Sequence, residues 1–340
     1  MGVYKHFNDS YAREATFGTS AIPTDDVQTY KFGVIGKEKT VHPSPRTKVL
    51  YRATGVGSQE VPVGALWKQQ LNLTGMYPIT MQDGILIQAV MGASSTPPPA
   101  GGNYTHTIST PTDGSKLPSF TIQHERTGTA SAWSAQFLGA KIAGLTLTCG
   151  FDQRYLIGRV DWLAKKVFNP GFQLVNDPVL PPTSNDGAYH FGLMSRNIYM
   201  TPEWDDPVSI DGLTKMELQI SPDLQPIFAH VRDAGVWVGQ WLWDIIEAPR
   251  KQYNLTMELS PDSDDMFDEL TSLDNTLNMN FTWTRTATNY ISMNLLDCQF
   301  ISHTLTTPVV GDDLIEKVEV EPRSVNFVIM DQIEEAAYGE

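Results

Sequence analysis

Two stretches of the chain, one in each half, carry related residues in the same order. Residues 120–162 read FTIQHERTGTASAWSAQFLGAKIAGLTLTCGFDQRYLIGRVDW, and residues 280–320 read NFTWTRTATNYISMNLLDCQFISHTLTTPVVGDDLIEKVEV. Placing Leu138 on Leu296 also places Thr146, Leu147 and Thr148 on Thr304, Leu305 and Thr306. Arg126-Thr127 meets Arg285-Thr286 after a one-residue gap. A repeat at about half the chain length implies two copies of one structural unit, which restricts the fold to tandem, pseudo-symmetric arrangements. With 340 residues in all, each copy has the size of an ordinary domain.

Within each copy the hydrophobic pattern has period two, the signature of strands with one buried face. In GLTLTCG, Leu145, Leu147 and Cys149 share a face opposite Thr146 and Thr148. NMNFTWT is read as its counterpart, with Met279, Phe281 and Trp283 against Asn278, Asn280 and Thr282. Tyr253, Leu255, Met257 and Leu259 alternate in the same way, as do Met216, Leu218 and Ile220. Such strands suit antiparallel sheets, so the fold class is mainly β: two tandem antiparallel β-sandwich or half-barrel domains, each with a short flanking α-helix. The first helix is expected over GILIQAVMG, opened by a capping box from Thr80 to Asp83, closed by Gly92 and apolar on nearly every side. The second is expected over MFDELTSL, after the acidic start Asp262, Asp264 and Asp265, with Met266, Phe267, Leu270 and Leu273 as its core stripe.

The reading divides the chain into an N-terminal arm (1–28), a first domain (29–167), a Pro-rich linker (168–187), a second domain (188–333) and a C-terminal tail (334–340). Each domain sends out a long excursion. Residues 56–82 carry Trp67, Leu71 and Tyr77. Residues 230–252 carry Trp237, Trp241 and Trp243, which read as a hairpin arm. Exposed apolar and aromatic residues in long excursions mark surfaces that meet a partner, and these six are the candidate interface residues.

Chemistry is hard to find. The seven histidines show no metal-ligand spacing, and GxSxG, P-loop and GxGxxG patterns are absent. His303, on the apolar face of its strand, reads as a packed core or interface residue, and Cys149 as a buried apolar thiol. The acidic run from Asp262 to Glu269 reads as a helix start rather than a cation site, because it lacks the glycine and terminal glutamate of a calcium loop. No cofactor, metal site or enzymatic activity is expected. Two cysteines offer no disulfide framework, the N-terminal residues contain no apolar run of the secretory type, and no membrane span is expected. A formal net charge of −15 argues against a protein that grips nucleic acid.

The segment EATFGTSAIPTDDVQTYKFGVIGKEKTVHPSPR, followed by PSFTIQHERTG, QFLGAKIAGLTLTCG and LIGRVDWLAKK, resembles the tail tube proteins of long non-contractile-tailed phages and related archaeal viruses. Order and spacing carry the resemblance over about residues 14–167, and more faintly over 188–330. Gly139, Gly144 and Lys165 match the family pattern loosely, whereas the second half has Asp297 and Ser302 in place of the two glycines. The resemblance implies copies joined edge to edge into rings, with inner sheets forming a continuous β-barrel. Because each chain holds two tube domains, it implies a homotrimeric ring with pseudo-sixfold symmetry. Stacked rings would form the tail tube of the virion, assembled in the host cytoplasm. The partners implied are the protein itself, a tape-measure protein, tail terminator or baseplate proteins, and dsDNA passing through a carboxylate-lined lumen without specific binding. Two other readings stay open at this point: a tail terminator or baseplate-hub protein of related fold, and a carbohydrate-binding β-sandwich using Trp237, Trp241 and Trp243.

Overall fold

The computed structural model describes residues 4–19, 30–31, 42–45, 51–53, 60–62, 68–69, 71–74, 79–81, 84–97, 101–111, 116–128, 132–152, 154–168, 189, 192, 194–199, 208–210, 212–233, 236–260, 277–306 and 315–331. The first copy contributes β1 (Tyr4–Arg13), β2 (Tyr30–Lys31), β3 (His42–Pro45), β4 (Tyr51–Ala53), β5 (Glu60–Pro62), β6 (Lys68–Gln69), β7 (Leu71–Thr74) and β8 (Ile79–Thr80). It continues with α1 (Ile85–Met91), β9 (Ala93–Ser95), β10 (Tyr104–Ser109), β11 (Phe120–Gly128), β12 (Ala132–Gly150), β13 (Ile157–Ala164) and β14 (Lys166–Phe168). The second contributes β15 (Met194–Tyr199), β16 (Val208–Ser209), β17 (Leu213–Asp233), β18 (Val236–Leu259), β19 (Leu277–Thr286), β20 (Asn289–Thr306) and β21 (Ile315–Asp331). The fold is mainly antiparallel β, as the alternation predicts; the exception among the described pairs is a short parallel contact between β6 and β18. Pairings connect nineteen strands, and β4 and β5 form a separate ladder.

The repeat is visible in the registers. In the first copy β11 meets β12 with Phe120 opposite Ala140, then Ile122 opposite Phe137. In the second, β19 meets β20 with Leu277 opposite Cys298, then Met279 opposite Leu295. Further along, Ile142 faces Trp162 and Gly144 faces Asp161, as Phe300 faces Val320 and Ser302 faces Glu319. Both copies therefore slip register at Ala143 and at Ile301, which the placement of Leu138 on Leu296 makes equivalent. The flanking strands correspond too: Tyr11 lies between Ile122 and Tyr30, and Ile198 between Met279 and Val208.

These registers correct three expectations. Trp133 and Ile291 are equivalent, so Arg126 corresponds to Trp283 and not to Arg285. NMNFTWT belongs to β19, the counterpart of β11, whereas the counterpart of GLTLTCG is the last part of β20. Residues 4–13 of the expected arm form β1, paired along its length with β11 and equivalent to β15; Tyr11 and Ala12 are buried there.

Near the middle of β12 and of β20 lies a residue with positive φ, Gly139 at 64° and Asp297 at 51°. Only glycine enters this region freely, and aspartate is among the few other residues that visit it. Asp297 thus performs the backbone role of Gly139, so this sequence difference is no departure in structure. A turned backbone exposes its amide, and each copy satisfies it differently. The Gly139 N–H donates to Glu14 at 2.8 Å. Glu14 is itself buried and also accepts from the Gly18 N–H (2.8 Å), Ser119 Oγ (2.9 Å) and Thr121 Oγ1 (2.9 Å). In the second copy Asn278, at the position of Thr121, accepts the Asp297 N–H directly at 3.0 Å.

Helix α1 is buried at all seven positions and ends at Gly92, whose φ is 99° and whose N–H donates to the Gln88 carbonyl. The expected capping box does not form: the N-cap is Gly84, and Thr80 is held in β8 opposite Ile157. The second expected helix, the linker from 169 onward and the C-terminal tail lie outside the described residues. Helix α1 packs on β10, β12 and β17, so it covers a core built by both copies. One continuous apolar cluster runs from Tyr11 through Trp162 and Leu218 to Ile329. The copies are further tied by β10 pairing with β21, from Tyr104 opposite Asp331 to Ile108 opposite Phe327.

A Cβ on Gly139 would lie 2.8 Å from Lys165 Cβ and 3.0 Å from Phe17 Cε2. Gly139→Ala should therefore cost about 2–4 kcal/mol in urea unfolding, combining left-handed strain with the clash. Asp297→Gly should stay within about 1 kcal/mol of wild type.

Candidate assembly surface

Eight strands follow one another in a single antiparallel run: β3, β7, β13, β12, β17, β18, β21, β20. The run is one four-strand unit used twice. Trp162 faces Leu73, and Leu73 faces Pro43; likewise Val320 faces Leu255, and Leu255 faces Leu218. Hence β3, β7, β13 and β12 correspond to β17, β18, β21 and β20. The two units meet where β12 pairs with β17, from Leu145 opposite Ile220 to Gly150 opposite Lys215.

The faces of this run differ sharply. Leu145, Leu147, Leu218, Leu255 and Val320 are fully buried on the core side. On the other side, Thr148, Glu217, Thr256, Glu319 and Ser302 line up across five strands. The neighbouring row holds Lys215, Glu258, Lys317 and Thr304. Its charges are largely paired. Lys215 donates to Glu258 at 2.9 Å, Lys317 to Glu319 at 2.9 Å, and Ser302 Oγ to Glu319 at 2.9 Å. Hydrogen bonding to Glu319 holds Lys317 above the usual lysine range, and Lys317 with Ser302 holds Glu319 below the usual carboxylate range. These groups are solvent-exposed, so salt screens them and they add little to stability. The face presents hydroxyls and mostly paired charge, two lysines against the carboxylates of Glu217, Glu258 and Glu319.

Side chains reinforce the joint between the units. Lys141 of β12 forms an ion pair with Glu247 of β18, and Glu247 also accepts the Leu117 N–H. Lys116 reaches Asp244 at 3.4 Å, and Thr110 Oγ1 lies 2.8 Å from the Tyr253 hydroxyl. Burial alone would raise Asp244, but the Ile245 N–H and Lys116 outweigh it and hold its carboxyl below the usual range. An apolar satellite joins Leu163, Phe17 and Ala143 of the first copy to Ile245 and Leu224 of the hairpin. The ammonium groups of Lys141 and Lys165 sit 5.3 and 4.8 Å from the centre of the Phe17 ring. Burial lowers Lys251, on the same hairpin, to about 8, against an opposing contribution from Glu247.

Of the six residues singled out from sequence, Trp237, Trp241 and Trp243 lie on β18, in the outer part of a hairpin that turns between Asp233 and Val236. The hairpin arm is therefore present, and longer than expected. Leu71 is in β7, between Ala164 and Pro45, so its backbone belongs to the sheet and not to a free excursion. Trp67 and Tyr77 lie outside the described residues. The two excursions do meet: Gln240 and Trp241 run parallel to Lys68 and Gln69. Sequence reasoning missed Lys141, Glu247 and Glu14. Only the apolar neighbours of Lys141, at Ala140 and Ile142, hint that a lysine there needs a buried partner.

The described residues contain no group of three or more His, Cys, Asp or Glu able to hold a metal, and no helix long and apolar enough to cross a membrane. Burial raises Cys149 to about 11 and Cys298 to about 12, which removes both as nucleophiles near neutral pH. His106 is fully buried between Asp331 (3.1 Å) and Thr96 (2.8 Å), tying β10 to the end of β21. His303 is 32% exposed and bonded to Glu316, so within one chain it is not a core residue. The acidic run from Asp262 lies outside the described residues.

No protein-family model matches the chain, and no curated protein matches it. Solved structures overlap parts of it. A chain of the anti-feeding prophage baseplate shares 10% identity over 39% of this chain and 91% of its own, with a TM-score of 0.29. A chain from the sheath/tube terminator of the PVC extracellular contractile injection system shares 16% identity over 40% and 92%, with a TM-score of 0.25. One from the PVC sheath–tube complex shares 16% over 40% and 87%, also at 0.25. At these scores the overlaps establish neither a shared fold nor a family.

The Lys251 shift has a definite sign. Its folded pKa lies below the unfolded value, so between about pH 8 and 10.5 the unfolded chain holds more protons and stability rises with pH. Lys251→Met should raise the melting temperature at pH 7 and abolish the extra stability that wild type gains across that window. Parallel melting curves from pH 7 to 10.5 check both points.

Proposed function

We propose that this protein is a non-catalytic structural component of a viral tail, one whose chains close into trimeric rings with pseudo-sixfold symmetry and whose rings stack into a tube. The observation that carries this reading is the eight-strand run, in which one four-strand unit appears twice and joins itself edge to edge. A unit that already repeats laterally inside a chain is suited to repeat laterally between chains, and rotation that closes gives a ring. Closure into a barrel removes exposed strand edges. The resemblance of residues 14–167 to tail tube proteins supports the same reading.

In this role the compensated polar face lines the lumen. A face of hydroxyls and mostly paired charges with a slight excess of carboxylate offers phosphate no cationic grip, so dsDNA slides along it without specific contacts. The Trp-bearing outer part of the β17–β18 hairpin, beside β6, contacts the next ring. Head-to-tail stacking is a heterologous contact and propagates. Tape-measure and tail-end proteins are the remaining partners, and the location is the virion tail after assembly in the host cytoplasm.

Negative-stain imaging with light scattering tests this. Purified protein should form three-chain rings that stack into filaments, and Trp241→Ala should leave rings but shorten the filaments at least about tenfold. Discrete rings at every concentration would instead support a terminator or baseplate role. A monomer that binds glycans through Trp241 would sink the ring reading.

A further inference from the structure

The eight-strand run has two outer edges, β20 at one end and β3 at the other. These are the counterparts of β12 and β17, the strands that meet at its centre. We propose that the outer edge of β20, from His303 to Thr306, is built to receive β3 of a second copy of this chain, in the register of the internal joint. The inference rests on the ring reading and specifies which strands make its interchain contact.

The difference in exposure between the two copies argues for it. In the first copy, Leu145 and Leu147 are fully buried beside β17. In the second, β20 beyond Phe300 pairs with β21 alone among the described residues, and Ile301, Ser302 and Thr304 are exposed. Ile301 is 58% exposed, although its counterpart Ala143 packs against the apolar satellite of Leu163 and Ile245. An exposed isoleucine on an unpaired edge is a standing liability unless a partner covers it. The partner must be a strand that continues the same antiparallel run. The first copy supplies one: β3 pairs with β7 on one side, and among the described residues no strand pairs with its other side.

The internal register fixes the external one. Thr146 lies opposite Gln219 and Leu147 opposite Leu218. Leu218 corresponds to Pro43, so Leu305 should lie opposite the second copy's Pro43, and Thr304 opposite its Ser44. Pro43 and Pro45 cannot donate to a ladder, which keeps β3 from pairing indiscriminately. In this register β3 spans His303 to Thr306, and Ile301 lies just beyond the joint, as Ala143 lies just beyond the internal one.

Cysteine cross-linking tests the register. Thr146→Cys with Gln219→Cys should close a disulfide within one chain and serves as the positive control. Thr304→Cys with Ser44→Cys in the full-length chain should give, on oxidation of assembled protein, covalent multiples of the 37.8 kDa chain up to three. Reduction should collapse them. The buried Cys149 and Cys298 stay in place. Ile301→Asp should raise the concentration for half-assembly at least about tenfold while leaving the melting temperature of the monomer unchanged. If wild type assembles and the control cross-links, but the Thr304/Ser44 pair does not, this joint is wrong and the ring reading survives. If wild type remains a monomer at every concentration, both fail.

Discussion

Each copy depends on one residue near the middle of its central strand, β12 or β20, holding a left-handed backbone. A β-strand has a strict two-residue alternation, so any change in which side faces the core must be made by the backbone. In β20, Ile291, Met293 and Leu295 point to the core; past Asp297 it is Cys298 that does so. A second change follows at the bulge, after which Leu145 and Leu147 in β12 replace Ala140 and Ile142 on the buried side. The two changes let one strand leave the ladder of β11 and enter that of β13, the kind of bend by which strands pass between packed sheets. In the first copy the turn is secured by Glu14, whose four donors come from three separate parts of the chain. The joint with β17 lies beyond the second bend, so it depends on both.

Much of this was legible. Alternation identified the strands, and the match of Leu138 to Leu296 gave the alignment of the central strands residue for residue. It failed where alternation itself is interrupted. Identical letters favour Arg126-Thr127 on Arg285-Thr286 where register does not, and NMNFTWT shares the alternation of GLTLTCG while belonging to the counterpart of β11. The N-terminal segment looked like an arm because YKHFNDSYAR has little apolar pattern of its own, yet it adds a strand along β11. The Trp hairpin was recognisable from composition, whereas the Lys141–Glu247 ion pair was not. Its partners are distant in sequence and meet only because the hairpin of one copy lies across the other.

The copies have kept the backbone and changed the chemistry around it. Gly139 became Asp297, with its amide passed from Glu14 to Asn278. Lys141, paired with Glu247, corresponds to the exposed Gln299. Gln123 and Gln136, buried and bonded at 2.7 Å, correspond to Asn280 and Asn294, bonded at 2.7 Å and half-exposed. A site that must look the same in both copies keeps a side-chain amide; a site that meets its neighbour only once is free to differ.

The ladder between β10 and β21 has a consequence for synthesis. Strand β10 belongs to the first copy, but its partner follows almost the whole of the second. The first copy therefore cannot complete its sheet as it emerges from the ribosome; it waits for β21. Such distant pairing slows folding, because loop closure must precede the contacts that reward it. Until β21 is made, β10 has β9 as its one described partner.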